Sequence, residues 1–238
     1  MAEWKVKRFW KQASAVKAED GWAIALDGRQ VRTPAKALLV VPSLPLAEAI
    51  AAEWDAQEEQ IDPLSMPLTR SANAAIDKVG PQFSEVAELI AAYGDTDLCC
   101  YRAEGPERLC ARQAEAWNPL LDWARVAIGV ELVATVGVIP TAQATESLER
   151  LRKEVAAQDA FTVTALHDLV SLSGSLLIGL AALQGAFPVE DLWFRSRIDE
   201  TFQEGEWGVD DEAAADATRK RDAFLHAARF LELSRATA

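Results

Sequence analysis

The chain has 238 residues, of which 50% are hydrophobic, so it can bury a substantial core in one or two domains. Its formal net charge of −13 argues against a nucleic-acid partner, because a protein that binds phosphates needs a basic surface. An acidic chain fits a basic or apolar partner surface, and solubility alone explains the charge equally well.

The N-terminal part of the chain, residues 4 to 41, is predicted to form strands. Apolar and small side chains alternate up to Asp27-Gly28, a pair that is typical of a two-residue hairpin turn. This register places Ile24 opposite Val31 on one face of the hairpin. A further strand is predicted from residue 38 to residue 41.

A helix is predicted to begin after Ser43, which can cap its first turn, and to end near Ile61-Asp62-Pro63. Leu46, Ile50 and Trp54 recur every four residues and form the side of the helix that faces the core. Trp54 is therefore predicted to be a structural residue, whose truncation would cost about 3–5 kcal/mol of stability. The polar residues of the same helix are predicted to face outward: Glu53, Asp55, Gln57, Glu58 and Glu59.

Most of the remaining chain is predicted to be helical, with prolines at helix starts and a glycine at one helix end. An extended segment is predicted at 66–70, followed by helices at 71–79 and 81–93 and a short strand at 98–101. A helix from Pro106 is predicted to be interrupted or kinked at Asn118-Pro119. It is followed by an extended segment 131–139 and a helix at 146–155. Two further helices are predicted to begin at Pro188 and at about Asp210.

The segment from Leu169 to Val189 carries no charged side chain and is long enough to span a membrane. Serines and glycines dilute its hydrophobicity, and the acidic residues on both flanks provide no signal for membrane orientation. A helix that is apolar all round in a water-soluble protein is buried on all sides. The segment is therefore predicted to be a buried central helix, without membrane insertion.

These elements predict an α+β fold with two parts. A small β-rich N-terminal domain, made of hairpins plus a helix, is expected at residues 1–66, and a larger all-helical bundle domain at 67–238. The chain contains no internal repeat, low-complexity tract or flexible linker. A monomer is expected.

The cysteine content indicates a reducing compartment. The chain has three cysteines, and the neighbours Cys99 and Cys100 could close no useful loop, so all three are predicted to be free thiols. No secretory signal or organellar transit peptide is recognised at the N-terminus. The expected location is the bacterial cytoplasm, or the mitochondrial matrix for a processed eukaryotic form.

No sequence motif indicates catalysis, a metal or a cofactor. His167 and His226 lie far apart, each in an apolar helix, and are better explained as structural residues. Metal-binding cysteine–histidine spacings and phosphate-binding glycine motifs are missing from the sequence. Asp95-Thr96-Asp97 is better explained as a capped loop after Gly94. Because paired carboxylates leave no local motif, a small carboxylate-dependent hydrolase with a site between the two domains stays the alternative.

Short motifs spread over roughly residues 8 to 212 carry a family resemblance. They include Arg8-Phe9-Trp10-Lys11, Glu53-Trp54-Asp55-x-Gln57, Met66-Pro67-Leu68-Thr69, Tyr93-x-x-Thr96-Asp97-Leu98, Tyr101-Arg102-Ala103, Gln113-x-x-x-Trp117-Asn118, Ser196-x-x-Asp199-Glu200-x-x-Gln203 and Trp207-Gly208. In this order they resemble the chaperone family that binds the alpha subunit during assembly of the ATP synthase catalytic head. One departure is Asn118, where the family often has Asp; either residue is expected to cap a helix.

The resemblance implies a molecular chaperone without catalytic chemistry or a cofactor. Its expected partner is the unassembled alpha subunit of ATP synthase, whose apolar interface would be shielded until it pairs with the beta subunit. An unassembled subunit exposes such a surface to wrong association, which gives the chaperone its physical purpose.

The segment from Asp199 to Asp216 holds eight acidic residues and no basic one. A solvated surface explains such a run, and the alternative is an acidic docking surface with Phe202 and Trp207 as aromatic anchors. The resemblance favours docking, because part of the segment falls within the C-terminal signature of the family. The predicted partner-binding residues are Glu200, Gln203, Glu206, Trp207, Asp210, Asp211 and Glu212.

Overall fold

Four short strands near the N-terminus form an antiparallel sheet in which β2 pairs with the three others. The structure, a computed structural model, describes residues 7–137 and 139–236, so residues 4–6 of the predicted strand region lie outside the described residues. The strands are β1 (Ala13–Ala18), β2 (Gly21–Leu26), β3 (Arg29–Gln30) and β4 (Val40–Val41). The α+β fold class is confirmed, with the strands first and a larger helical part after them.

The predicted hairpin and its register are confirmed. Asp27 and Gly28 both have positive φ, 46° and 81°, as a tight hairpin turn between twisted strands requires. The backbone N–H of Val31 donates to the carbonyl of Ile24 at 2.8 Å, so these residues are paired as the register requires. Ile24 is fully buried, and β2 is the centre of the sheet.

Helix α1 (Leu44–Asp55) begins where predicted but ends earlier than predicted. The hydroxyl of Ser43 accepts the N–H of Leu46 at 3.1 Å and caps the first turn. At the other end, the side chain of Gln57 donates to the carbonyl of Glu53 at 3.0 Å and accepts the N–H of Asp62 at 2.7 Å. The prediction that Gln57 faces outward is wrong, because this buried amide closes the end of the helix.

Trp54 is half-buried, less than the core position that its spacing predicts, and its structural role stays a prediction. Its ring lies edge-on to the buried ring of Trp10, with 5.2 Å between centroids. The guanidinium of Arg8 lies 5.4 Å from the Trp10 ring and donates to the carbonyl of Asp55 at 2.8 Å. The first two motifs of the family resemblance therefore meet in one packed cluster.

Residues 67–70 are helical, so the prediction of an extended segment there is wrong. Helix α2 (Pro67–Ala74) begins with a proline, which suits the first turn, and continues into a π-helical turn, Ala75–Val79. The carboxylate of Glu53 accepts the N–H groups of Leu68 at 2.7 Å and Thr69 at 2.8 Å, and the Thr69 hydroxyl at 2.7 Å. A negative charge at a helix N-terminus is favourable, and this one comes from another helix.

The larger helical part contains eight helices in the described residues, besides short 3₁₀ and π turns and one pair of two-residue strands. They are α3 (Phe83–Ala91), α4 (Glu107–Trp123), α5 (Thr145–Ala156), α6 (Ala160–Ser173), α7 (Leu176–Leu183), α8 (Val189–Ser196), α9 (Ile198–Trp207) and α10 (Asp211–Arg235). Strands β5 (Tyr101–Arg102) and β6 (Thr135–Val136) pair in parallel. The prediction of a strand at 98–101 is wrong over Leu98–Cys100, which form a 3₁₀ turn. Within the predicted extended segment 131–139, whose residue 138 lies outside the described residues, the strand covers Thr135–Val136.

Helix α4 continues through Pro119 to Trp123, which contradicts the predicted interruption. Asn118 lies inside the helix and not at a cap, so the capping role expected for it is wrong. The guanidinium groups of Arg102 and Arg195 donate to the carbonyls of Gln113 and Ala116. Both donors come from outside the helix, whereas the carbonyl that Pro119 leaves without a helical N–H partner is that of Glu115.

The apolar segment forms parts of two helices rather than the single buried helix that was predicted. α6 ends before Gly174, whose φ of +72° turns the chain, and Ser175 then caps the buried helix α7 by accepting the N–H of Ile178. Asp97 accepts the Ser175 hydroxyl at 2.7 Å and the N–H of Leu177 at 2.9 Å. In the part of the chain that the structure describes, no helix combines the length and the apolar character needed to cross a membrane.

The described chain packs as two compact units. One combines the chain up to Phe83 with Asp159–Ala165 and the chain from Arg229 onward, and the other combines Ser84–Gln158 with Leu166–Ala228. Helices α6 and α10 each contribute residues to both units. The predicted domains, 1–66 and 67–238, stay a prediction, because packing in the native state does not measure which segments fold alone.

Replacing Glu53 with alanine should destabilise the protein, since three donors at the start of α2 lose a charged acceptor. We expect a loss of about 1–3 kcal/mol, or a fall in melting temperature of roughly 2–4 °C per kcal/mol. Thermal melts followed by circular dichroism measure this. Glu58→Ala is the control, because Glu58 is an exposed acid just beyond the same helix. Equal melting temperatures for the two variants would contradict the capping role.

Candidate partner-binding surface

Helix α9 lies against α4, and the contacts between them fix its orientation. The contacts run in opposite order along the two helices: Arg108 with Glu206, Arg112 with Phe202, and Gln113 with Asp199. Residue numbers that rise on one side and fall on the other show that the two helices are antiparallel. The orientation of α9 on α4 is thus held by three side-chain contacts.

Among the residues that join α4 and α9, Gln113 makes the most hydrogen bonds. Its side chain accepts the N–H of Ala103 at 2.8 Å and donates to Asp199 at 2.6 Å. Its carbonyl accepts the guanidinium of Arg102 at 2.8 Å, and a second nitrogen of Arg102 donates to Asn118 at 3.0 Å. Gln113 is buried, so its hydrogen bonds are shielded from water. Three separate motifs of the resemblance converge here.

Trp117, in the core, is a further residue that holds α4 against neighbouring segments. Its ring is fully buried, its indole N–H donates to the carbonyl of Arg195 at 2.7 Å, and the Arg102 guanidinium lies 5.1 Å from the ring. Burial lowers the pKa of Arg102 from its ordinary value, and the nearby thiols of Cys99 and Cys100 raise it. A cation over an aromatic face is favourable when both groups are removed from water.

The helical period divides α9 into two faces. Ile198, Phe202 and Glu206 recur every four residues on the side toward α4, whereas Glu200, Gln203 and Trp207 recur on the opposite side. Phe202 is buried beneath the guanidinium groups of Arg108 and Arg112, so the prediction that it is an exposed anchor is wrong. The aromatic anchor available to a partner on this helix is Trp207.

Trp207 is 82% exposed at the end of α9, and Val209 beside it is 66% exposed. Large aromatic side chains in water are unfavourable, and exposed apolar groups rimmed by polar ones are typical of interaction sites. Trp207 ends α9, and Val209 lies in the short connection to α10, whose first turn is acidic. The position fits the predicted role of Trp207.

The acidic residues of the predicted site differ in how much of their charge is neutralised. Glu200 forms an ion pair with Arg197 at 2.6 Å, and Glu206 pairs with Arg108 of α4. Asp210 is exposed and caps α10 by accepting the N–H of Ala213 at 2.8 Å. Among the described residues of the predicted site, the exposed side chains of Gln203, Trp207, Asp211 and Glu212 form no hydrogen bond or ion pair. In the predicted site, the negative charge that no ion pair neutralises is therefore concentrated at the start of α10.

The described residues offer little for catalysis. Asp97 is fully buried and binds Ser175, Cys99 and Leu177, so it acts as a cap, as the loop interpretation predicts. Burial raises the pKa of its carboxyl, against the effect of these hydrogen bonds. Burial also raises the pKa of the Cys100 thiol to about 12, which keeps it protonated and unreactive near neutral pH. No group of three or more His, Cys, Asp or Glu that could hold a metal occurs in the described part.

Sequence reasoning missed Arg102, Gln113 and Asp199 as determinants of this surface. All three fall within motifs of the resemblance, but their contacts join residues that are 10 to 86 positions apart in sequence. It also missed Phe194, an aromatic residue of α8 that is 57% exposed. Nothing in the local sequence separates Phe194 from the buried Trp193 beside it.

Gln113→Glu should destabilise the helical unit, because the carboxylate keeps the acceptor for Ala103 but meets Asp199 with like charge. We expect a loss of about 1–3 kcal/mol at neutral pH. The deficit should shrink as the pH falls, since protonation of one carboxyl restores a donor. Melting curves between pH 4 and pH 8 measure this. Gln203→Glu, at an exposed amide on α9, is the control, and identical pH profiles for both variants would contradict the assignment.

Comparison with known proteins gives concordant matches. The family model described as ATP12 chaperone protein matches residues 7–125. A solved mutant form of Atp12p from Paracoccus denitrificans is 50% identical, covers 98% of this chain and 100% of that chain, and has a TM-score of 0.96. The crystal structure of Atp12 from the same organism is 51% identical at the same coverage, with a TM-score of 0.95. The mitochondrial protein atp12 of Schizosaccharomyces pombe is 28% identical over 216 residues, 85% of this chain and 74% of that protein.

Proposed function

The chain belongs to the ATP12 chaperone family, and we propose that it is an assembly chaperone of ATP synthase that binds the unassembled alpha subunit. Trp207 is the observation that supports a docking role best, because an exposed indole on a firmly held helix fits an anchor for a partner pocket. The surface around Trp207 would cover apolar area of the alpha subunit until the beta subunit displaces it.

The acidic residues have two roles in this proposal. Glu200 and Glu206 are engaged with arginines of the same chain, so they contribute mainly to holding α9. Asp211 and Glu212 are exposed beside Trp207 and would attract a basic rim on the partner. Charges at the rim of an interface accelerate encounter more than they strengthen the complex, and they act less at high salt.

The proposed mechanism is reversible shielding without chemistry. Because the alpha subunit must be handed to the beta subunit, the affinity has to be moderate and the complex has to dissociate without covalent steps. The chain would act as a monomer, without nucleotide or metal. The mitochondrial name of one relative supports the expectation of the mitochondrial matrix for eukaryotic forms, and the bacterial cytoplasm is proposed otherwise. Within the described residues, no observation favours the hydrolase alternative.

Selectivity for the alpha subunit is the first test. The protein should suppress aggregation of purified alpha subunit at equimolar concentration and without ATP, as measured by light scattering. The beta subunit and an unrelated unfolding protein should aggregate as they do alone. Equal protection of all three would contradict the proposal and leave a general chaperone. Sedimentation of the mixture with alpha subunit measures whether the complex contains one copy of each chain.

Two variants should affect different rate constants of binding to the alpha subunit. Trp207→Ala should raise the dissociation rate about tenfold or more, because an aromatic anchor is lost. Asp211→Lys should lower the association rate severalfold at low salt and have less effect at high salt. Surface plasmon resonance at two salt concentrations measures both rates.

Two control variants carry comparable substitutions outside the candidate partner-binding surface. Leu64→Ala removes an apolar side chain that is 79% exposed, and Glu19→Lys reverses an exposed acid in the β1–β2 turn. Neither should change binding, and all four variants should melt like the wild type, since exposed substitutions usually alter stability by about 0.5 kcal/mol or less. If Trp207→Ala and Asp211→Lys left both rate constants unchanged, the segment would be an ordinary solvated surface and the docking role would be contradicted.

A further inference from the structure

A small groove lies where α4, α8 and α9 meet, on the side of α9 away from Trp207. It has a volume of about 290 Å³, and its lining residues are Arg112, Glu115, Ala116, Asp191, Phe194, Arg195 and Ile198. Sites that hold a drug-sized ligand or cofactor have roughly 300–1,000 Å³. The groove is therefore at the lower limit for such molecules and suits a single large side chain.

Phe194 gives the groove its apolar wall. The residue is 57% exposed, although its neighbours Leu192 and Trp193 on α8 are buried. Ile198, half-buried at the start of α9, supplies further apolar surface. A solvent-exposed phenylalanine beside a concave surface loses little conformational entropy on binding and gains a large contact area.

Arg195, which also lines the groove, is held in place by hydrogen bonds. The guanidinium of Arg195 donates to the carbonyl of Ala116 and lies 5.1 Å from the ring of Phe187. The carbonyl of Arg195 accepts the indole N–H of the buried Trp117. A wall that is already ordered requires little further ordering when a ligand enters.

The charges around the groove cancel. Two arginines, Arg112 and Arg195, face two carboxylates, Glu115 and Asp191, so the site has no net charge in a chain of net charge −13. A phosphate-containing or strongly basic ligand would gain little from such a rim. The chemistry fits an uncharged, apolar side chain whose flanking peptide groups contact the polar rim.

The surface area that a specific interface must bury favours the alpha subunit as the partner that fills the groove. A specific interface buries about 800 Å² on each partner, and Trp207 with Val209 can supply only part of that. Phe194 is the other highly exposed aromatic residue in the described part of α8 and α9. We propose that the groove receives one large apolar side chain from the exposed interface of the alpha subunit, as a second anchor besides Trp207. This proposal rests on the proposed function.

The test combines substitution with photochemical crosslinking. Phe194→Ser should weaken binding to purified alpha subunit about tenfold or more, whereas Phe194→Leu, which keeps an apolar wall, should lose much less. Leu89→Ser is the matched control, since Leu89 on α3 is also 57% exposed, and it should bind like the wild type. Melting curves establish that each variant is folded. A chain carrying p-benzoylphenylalanine at position 194 should crosslink to an apolar segment of the alpha subunit.

The possible outcomes separate this proposal from the proposed function. If wild type binds the alpha subunit and Phe194→Ser binds equally well, the groove is not an anchor and the proposal is overturned. Crosslinking at position 194 to a second copy of this chain, with alpha binding unchanged, would overturn it as well and assign the groove to self-association. Failure of the wild type itself to bind the alpha subunit would instead overturn the proposed function.

Discussion

The hydrogen bonds of the Gln113 side chain are the constraint on which the candidate surface depends. A primary amide donates and accepts at once, so one residue can hold Ala103 with its oxygen and Asp199 with its nitrogen. Because Gln113 is buried, losing either contact would leave a polar group without water or partner, which is costly. The orientation of α9, and with it the exposure of Trp207, follows from this pairing between α4 and α9.

Helix α9 thus has two faces with different physical roles. The inner face is closed by Phe202 and by the ion pair between Glu206 and Arg108, and the outer face leaves Trp207 in water. An exposed tryptophan is unfavourable for an isolated protein, and a partner that buries it recovers that free energy. A protein whose exposed side chains are separate from the contacts that hold their helix can bind and release a partner there without unfolding.

The parts of the structure that depend on neighbouring residues could be predicted from the sequence, and those that depend on distant partners could not. The turn at Asp27-Gly28 and the cap at Ser43 are local, and the ordered motifs indicated the family that the comparisons confirm. The first turn of α2 and the break between α6 and α7 were missed, because the carboxylates of Glu53 and Asp97 that bind their N–H groups come from 15 and 80 residues away. The acidic run was visible in the sequence, but the ion pair that Glu206 forms with the distant Arg108 could be recognised only from the fold.

The unit that contains the sheet is assembled from three separate segments of the chain, and the ribosome makes the last of them well after the first. The hydroxyl of Ser43 donates to the carbonyl of Leu233, and the ring of Phe161 stacks on that of Phe230 with 6.2 Å between centroids. At about 5–20 residues per second, a ribosome needs roughly 7–30 s to extend the chain from Phe83 to Arg229. During that interval the sheet and α1 lack the last segment of their unit, so a member of a chaperone family is itself incompletely covered while it is being made.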